Sequence, residues 1–271
     1  MAEEPRARVR WEALVYFWDG GWIGVGRGGG VVAPHSHHAV QISIGLNGPV
    51  RFQHADGPWQ EMTAGAVLPD VLHSFDGGDS DLVMLFVDPE SHEGRWLRDS
   101  LRSAVSECPP ERIADYLPAL RAFQQERPAP DAAVRTIRGV VGALCAGPPP
   151  LTRMDDRIVR AMQVIAERDV ARLKLDDVAR TVFLSPSRFA HLFTEEMGLP
   201  FRRYLLWRKL SRAMVEFGRG SNLSNAAHAA GFSDSAHLTR SWHQMFGISP
   251  TVMMGNVRFY EIPAPFELAA R

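Results

Sequence analysis

Four side chains in the first third of the chain have types and spacing suited to holding an ion or a polar ligand: His35, His37, Gln41 and, further on, His73. Residues at i and i+2 on a strand point to one face, so His35 and His37 would share a face and His38 would point the other way. If that face looks into a small β domain, His73 from a neighbouring strand joins them. Three imidazoles together with Gln41 would suit Zn²⁺, Ni²⁺, Co²⁺ or Fe²⁺ with a position left open. The same residues also suit a second role, as hydrogen-bonding groups lining a pocket for a small organic molecule. In a third reading they are plain surface histidines in the glycine-rich stretch that begins at Gly28-Gly29-Gly30. Those glycines do not form a phosphate loop, because neither a P-loop lysine nor the signature of a following helix is present.

A second set of residues lies in a repeat. Leu175-Asp-Asp-Val178-Ala179 leads into Leu184-Ser185-x-Ser187, and Leu223-Ser-Asn-Ala226-Ala227 leads into Phe232-Ser233-x-Ser235. Phe189, Phe193, Met197 and Gly198 are then matched by Leu238, Trp242, Phe246 and Gly247, with one extra residue between the two helices of the second copy. A helix, a short turn with a small polar N-cap and a second helix ending at glycine make a helix-turn-helix. Two in tandem supply two recognition helices. Val178/Ala179 and Ala226/Ala227 are small enough for close helix crossing, and Ser185 and Ser233 are the expected caps. Phe189/Phe193 and Leu238/Trp242 face inward. The outward residues are therefore Ser187, Arg188, Ala190, His191 and Thr194, then Ser235, Ala236, His237, Thr239 and Arg240. Such residues near a recognition helix N-terminus reach base edges. The helix between the units, from Pro200 to about Phe217, spans roughly 27 Å at 1.5 Å per residue. Successive major-groove faces lie about 34 Å apart.

The elements that must position these residues fall in two halves. Residues 1–90 read as β: Leu14–Phe17, Val40–Ile44, Ala66–Leu68 and Leu82–Val87 are short apolar runs between Gly, Pro, Asp and Asn clusters, which suggests a small barrel or sandwich. Residues 91–146 turn helical, with Trp96, Leu97, Leu101 and Val105 at helical spacing, then Ile113, Leu117 and Leu120, then Val134, Ile137, Val141 and Leu144. The first of these groups is equally suited to a dimer helix and to core packing under the β domain. Pro148-Pro149-Pro150 stiffens a linker. Residues 1–150 hold 13 Lys and Arg against 19 Asp and Glu, and the remainder holds 17 against 12. An acidic half joined to a basic half places any polyanion on the C-terminal side. With no apolar run of membrane-spanning length, no signal-peptide core, and only Cys108 and Cys145 as thiols, the chain is expected to be cytoplasmic and reduced.

Gly231-Phe232-Ser233-Asp234 followed by Phe246-Gly247-Ile248-Ser249-Pro250, within the tandem units, resembles the DNA-binding domain of the AraC/XylS family of bacterial transcription regulators. The resemblance implies two recognition helices in successive major grooves. Carried over by position, the base-facing residues are Ser187, Ala190, His191, Ser235, Ala236, His237 and Arg240, with Arg188, Arg208 and Lys209 toward phosphates. His191 stands where family members often carry Arg. Ala190 and Ala236 offer only apolar contact, for example to thymine methyls, and Arg240 is the long donor suited to guanine. Direct readout is sparse, so specificity leans on DNA shape and on dimerisation. Gly29-x5-His35-x-His37-x3-Gln41-x6-Gly48 and Gly65-Ala-Val-Leu-Pro69-Asp70-Val-Leu-His73 resemble the two cupin motifs, with Gln41 in place of Glu and Asp70 in place of Gly. The sensor domain of AraC-type regulators is typically a cupin-like β-barrel.

The expected fold is thus α+β and multidomain. A cupin-like sensor barrel (1–90), a helical dimerisation or interdomain segment (91–147) and a linker (148–152) precede the tandem helix-turn-helix domain (153–255) and a tail (256–271). The expected function is a non-enzymatic, sequence-specific regulator with no catalytic residues. Its expected partners are promoter DNA, a second copy of the chain, RNA polymerase, and a metal or small-molecule effector at His35, His37, Gln41 and His73, with no membrane. The rival readings are a metal-dependent cupin enzyme fused to a helical domain, and a helical half that serves only protein interaction.

Overall fold

A computed structural model describes residues 10–18, 20–125, 128–145, 154–254 and 256–262. The linker expected at 148–152 lies outside them. The chain divides into two units, Met1–Pro150 with Trp242–Arg271, and Leu151–Ser241.

The first unit holds two sheets. The larger has seven strands in the order β10-β7-β4-β9-β2-β1-β11: Val105–Glu107, Ala64–Val67, Val40–Gly45, Asp81–Val87, Gly21–Gly29, Arg10–Trp18 and Val257–Glu261. The smaller has four in the order β3-β8-β5-β6: Val31–His35, His73–Asp76, Val50–His54 and Trp59–Met62. The expected cupin-like closed barrel is not what forms. Closure would need the edge strands to pair with one another. In the larger sheet the outer edge of β7 is taken by β10, and the outer edge of β1 by β11, which runs parallel to it with Ala13 opposite Val257. The edges are met by added strands, and the sheets stay separate and open. The expected tail is therefore partly a strand of this unit.

The larger sheet sorts its side chains by period two. Leu14, Tyr16 and Trp18 of β1, Ile23 and Val25 of β2, Val40, Ile42 and Ile44 of β4, and Val83, Leu85 and Val87 of β9 enter one core. That core is completed by Leu97 of α1 (His92–Ser100), Ile113 of α2 (Pro110–Ile113), Leu120 of α3 (Leu117–Ala122), and Ile137, Val140 and Val141 of α4 (Pro130–Leu144). The alternate residues of the same strands, Trp11, Ala13, Val15, Trp22, Gly24, Gln41, Met84 and Phe86, look the other way and line a cavity with Val32, His35 and Phe75 of the smaller sheet. Trp96, Leu97 and Leu101 pack on the helix-covered core. Val105 is on a strand, because α1 ends at Leu101 in an extended conformation (ψ 134°). Cys108 and Cys145 are free and buried in the same core, where burial pushes each thiol up to about 12.

The second unit is helical: α5 (Asp156–Glu167), α6 (Leu175–Thr181), α7 (Pro186–Met197), α8 (Phe201–Gly218), α9 (Leu223–Ala229) and the start of α10 (Ser235–Phe246). Ile158, Ala161 and Ile165 meet Val178, Ala179, Phe189 and Phe193 in its core. Phe193 packs edge-on to Phe201 at 5.2 Å and lies 5.5 Å from Tyr204. A short helix α11 (Pro250–Met254) follows in the first unit. Among the described residues no helix is long and apolar enough to cross a membrane.

Candidate functional site

Two sites emerge, one from each set of residues. In the first unit, His35 ends β3 and His73 begins β8, directly opposite each other in the register. His37 is not on a strand, as the i, i+2 spacing suggested, but in the connection that crosses from the smaller sheet to the larger. Gln41 reaches the cluster from β4 because it is one of the inward alternates. His35 and His73 ring centres lie 4.3 Å apart, His37 and His73 5.1 Å, and His35 and His37 5.6 Å. All four side chains are buried.

Their hydrogen bonds share one pattern. The Nδ1 atoms of His35, His37 and His73 meet the backbone carbonyls of Ala33 at 2.8 Å, Ala39 at 3.2 Å and Val71 at 3.0 Å. Gln41 Oε1 lies 2.8 Å from His37 Nε2 and 3.2 Å from His73 Nε2, and the Gln41 amide nitrogen donates to Ser43 Oγ at 3.0 Å. Burial lowers all three histidines, His35 to about 3 and His73 to about 4, and the crowding of one imidazole by another adds to this for His35 and His37. The cluster is therefore neutral.

His38 faces away from the cluster and joins two acids, Asp70 at 2.9 Å and Glu90 at 3.4 Å. Burial alone would lower it, but the Asp70 and Glu90 carboxylates outweigh that and raise it to about 9. Asp70 has φ 62°, which explains why a glycine is at home there and why Asp, tolerant of that region, substitutes for it.

The cavity beside the triad measures about 40 Å³. His35 and Gln41 are on its wall, and Phe246, Ile248, Met253 and Val257 close it. Nothing in the sequence pattern signalled this last group, since their apolar character fitted a helical core equally well.

In the helix-turn-helix region, Ser185 caps α7, accepting from Arg188 N at 3.3 Å, and Gly198 ends it at φ 77°. The second copy is capped differently. Asp234, not Ser233, accepts from His237 N at 2.7 Å, while Ser233 donates to the Asp234 carboxylate and meets His237 Nδ1 at 3.2 Å. The extra residue of the second copy is thus the cap itself. The hydrogen bond from His237 N, then that from Ser233, hold the Asp234 carboxyl below its usual range. Gly231 turns at φ 79°, where a Cβ would meet Ala171 Cα at 2.5 Å; its counterpart Phe183 holds φ 57° with its ring in solvent.

Ser187, Arg188 and His191 are exposed on α7, with Ala190 half-buried. Ala236, His237 and Arg240 are exposed on α10, with Ser235 half-buried. Phe232 packs edge-on to the His237 ring at 5.2 Å, so His237 is held in place. Arg208 and Lys209 are half-buried, and Lys209 Nζ donates to Gly231 O at 2.9 Å.

Residues 178–255 match a family model described as a helix-turn-helix domain. The probable transcriptional regulator LumQ of Photobacterium leiognathi is 28% identical over 81 residues, 30% of this chain and 33% of the relative. The arabinose operon regulatory protein of Escherichia coli (strain K12) is 27% identical over 100 residues, 36% of this chain and 34% of that protein. The match thus spans about a third of the length of these curated relatives. Among solved structures, ToxT from Vibrio cholerae O395 is similar with a TM-score of 0.56 at 10% identity, covering 83% of this chain and 92% of that one. The unsaturated fatty acid bound ToxT of Vibrio cholerae strain SCE256 gives 0.55 at 10% identity, over 93% and 96%. At that identity the likeness concerns the fold.

Proposed function

We propose that this chain is a transcriptional regulator of AraC/XylS type that binds double-stranded promoter DNA through α7 and α10 and takes a small effector in its first unit. The observation that carries this reading is the pair of capped helices, each with an apolar face fully buried and a polar face exposed. Phe189 and Phe193 sit behind Arg188 and His191, and Leu238 and Trp242 sit behind His237 and Arg240. A helix that serves only as packing has no need of a second turn-and-cap copy with the same inside-out pattern. The helix-turn-helix match at 178–255 and the two regulator relatives support it.

Within this reading, Arg240 and His237 contact bases in one groove, and His191 and Ser187 in the next. The effector site is the His35–His37–Gln41–His73 cluster with the cavity beside it. No catalytic residue is assigned, since Gln41 supplies neither an acid nor a base. The similarly folded ToxT solved with an unsaturated fatty acid bound is a precedent for an organic ligand in this fold. A cavity of about 40 Å³ holds a few waters, well short of the roughly 300–1,000 Å³ of organic ligand sites. As it stands, the site fits something smaller.

The experiment is selection of duplex from genomic fragments, followed by fluorescence anisotropy on the recovered site. Arg240→Ala is expected to weaken binding by about 1–3 kcal/mol and to relax preference at one base pair. Recovery of no enriched sequence, or affinity without salt dependence, would defeat the DNA-reading assignment.

A further inference from the structure

We propose that Phe183 is a DNA-contacting side chain of the first helix-turn-helix, and that its ring meets a thymine 5-methyl group where α7 enters the major groove. The inference rests on the DNA-binding reading above and adds to it a residue outside both recognition helices.

The backbone shows how the ring comes to be displayed. Helix α6 ends in a Schellman turn: Phe183 N donates to Arg180 O at 3.2 Å and Leu184 N to Ala179 O at 3.1 Å. The residue at the bend is left-handed, and Phe183 has φ 57°. Helix α9 ends in the same turn, with Gly231 N on His228 O at 3.0 Å and Phe232 N on Ala227 O at 2.9 Å. There the bend is a glycine at φ 79°, the residue that adopts this conformation without strain. A phenylalanine is strained in it. The two copies also differ in what lies over the bend. A Cβ at Gly231 would meet Ala171 Cα at 2.5 Å. The Phe183 side chain instead is 88% exposed, the most of any large apolar residue among those described, with Leu72 next at 50%. The ring therefore gains no packing that would offset its strain, and glycine would serve the fold better. What the ring gains comes from outside the chain.

Position and charge choose the occupant. Phe183 stands two residues before Ser185, the N-cap of α7, and Ser187 and Arg188 in the first turn of that helix are exposed. With the N-terminal end of α7 in a major groove, the turn just before it is brought to the same groove. Residues 151–241 hold 15 Lys and Arg against 10 Asp and Glu. A second copy of this unit would meet that surface with like charge, whereas a polyanion suits it. A benzyl group offers only apolar contact, and the apolar group that base edges present in the major groove is the thymine 5-methyl.

The test uses the full chain and the duplex recovered by the selection above, with each thymine replaced in turn by deoxyuridine, which lacks only the methyl. Affinity is read by fluorescence anisotropy. Phe183→Gly should bind the intact duplex about tenfold more weakly, and the wild type should lose about fourfold at one thymine position. At that position Phe183→Gly should lose nothing further, a coupling that a merely structural role would not produce. Phe183→Leu, which keeps an apolar side chain there, should retain most of the affinity. Phe183→Gly removes no packed side chain and relieves the left-handed strain, so its midpoint in urea should not fall below that of the wild type. Equal affinity of the wild type and Phe183→Gly overturns the inference, and so does a deficit that is the same at every thymine. A wild type that self-associates in sedimentation while Phe183→Gly does not would place the ring on a second copy and overturn it as well. Failure to recover any duplex defeats the DNA-binding reading itself, so the two failures are told apart.

Discussion

Gly198 and Gly247 end the two recognition helices with the same left-handed turn, at φ 77° and φ 69°, and substituting each by alanine isolates what surrounds it. At Gly198 no described atom lies within 4 Å of a Cβ. Gly198→Ala therefore carries only the left-handed strain, about 1–2 kcal/mol, offset by about 0.4–1 kcal/mol from the stiffer unfolded chain. The net cost is about 1 kcal/mol. At Gly247 a Cβ would lie 2.5 Å from Ala33 O, 2.7 Å from Val32 Cγ1 and 2.9 Å from His35 Nδ1. A backbone carbonyl on β3 cannot swing aside as a side-chain tip does, so the strand or the helix end must shift. Overpacking of that kind adds about 1–3 kcal/mol, and Gly247→Ala should cost about 2–4 kcal/mol. The two glycines lie in different units, so urea unfolding is followed by far-UV circular dichroism and by tryptophan fluorescence, since Trp11 and Trp22 report on the first unit. Equal destabilisation by the two substitutions, within about 0.5 kcal/mol, would refute the reasoning.

Two further outcomes are expected. Acid should destabilise the first unit early: His35 falls from 6.5 to about 3 and His73 from 6.5 to about 4 on folding, so the unfolded chain binds the extra protons. Stability is complete above pH 6.5 and is lost as the pH falls toward those values; a midpoint in urea that does not change between pH 7 and pH 5 contradicts this. Lys209→Met should lower thermal stability through loss of the bond to Gly231 O while leaving the salt dependence of DNA affinity unchanged, whereas Arg188→Ala should reduce the salt slope by about one; a reduced slope for Lys209→Met would put its ammonium on a phosphate instead.

The repeat was legible in the sequence because helix-turn-helix geometry is local. Caps, small crossing residues and terminal glycines are fixed within about two dozen residues, and α6, α7, α9 and α10 form where the pattern places them. Only the cap of α10 moved by one residue, since two adjacent polar residues, Ser233 and Asp234, each suited the role. The β half was less legible. β2 contains glycine at 21, 24, 26, 28 and 29 and carries little strand propensity. It forms because Gly26 lets β1 approach so closely that a Cβ would meet Glu12 O at 2.0 Å. The barrel expectation failed for a different reason. Motif spacing marks which residues converge, and His35, His37, Gln41 and His73 do converge, but it carries no information on which strands occupy the sheet edges. That is decided by β10 and β11, the latter some 240 residues from its partner β1.

The segment Phe246-Gly247-Ile248-Ser249-Pro250 looks in sequence like the end of a DNA-binding module, yet it has two sets of neighbours. Gly247 N donates to His243 O at 2.8 Å and so terminates α10, the helix that carries His237 and Arg240. Phe246 and Ile248 close the cavity, and Gly247 lies against Ala33 and His35. An effector shifts a regulator only by as much as its affinity differs between the regulator's states. His35 Nδ1 would lie 2.9 Å from a Cβ at Gly247, while His37 is tied to the β3–β4 connection and His73 to β8. A side chain added at Gly247 therefore reaches the cluster through His35.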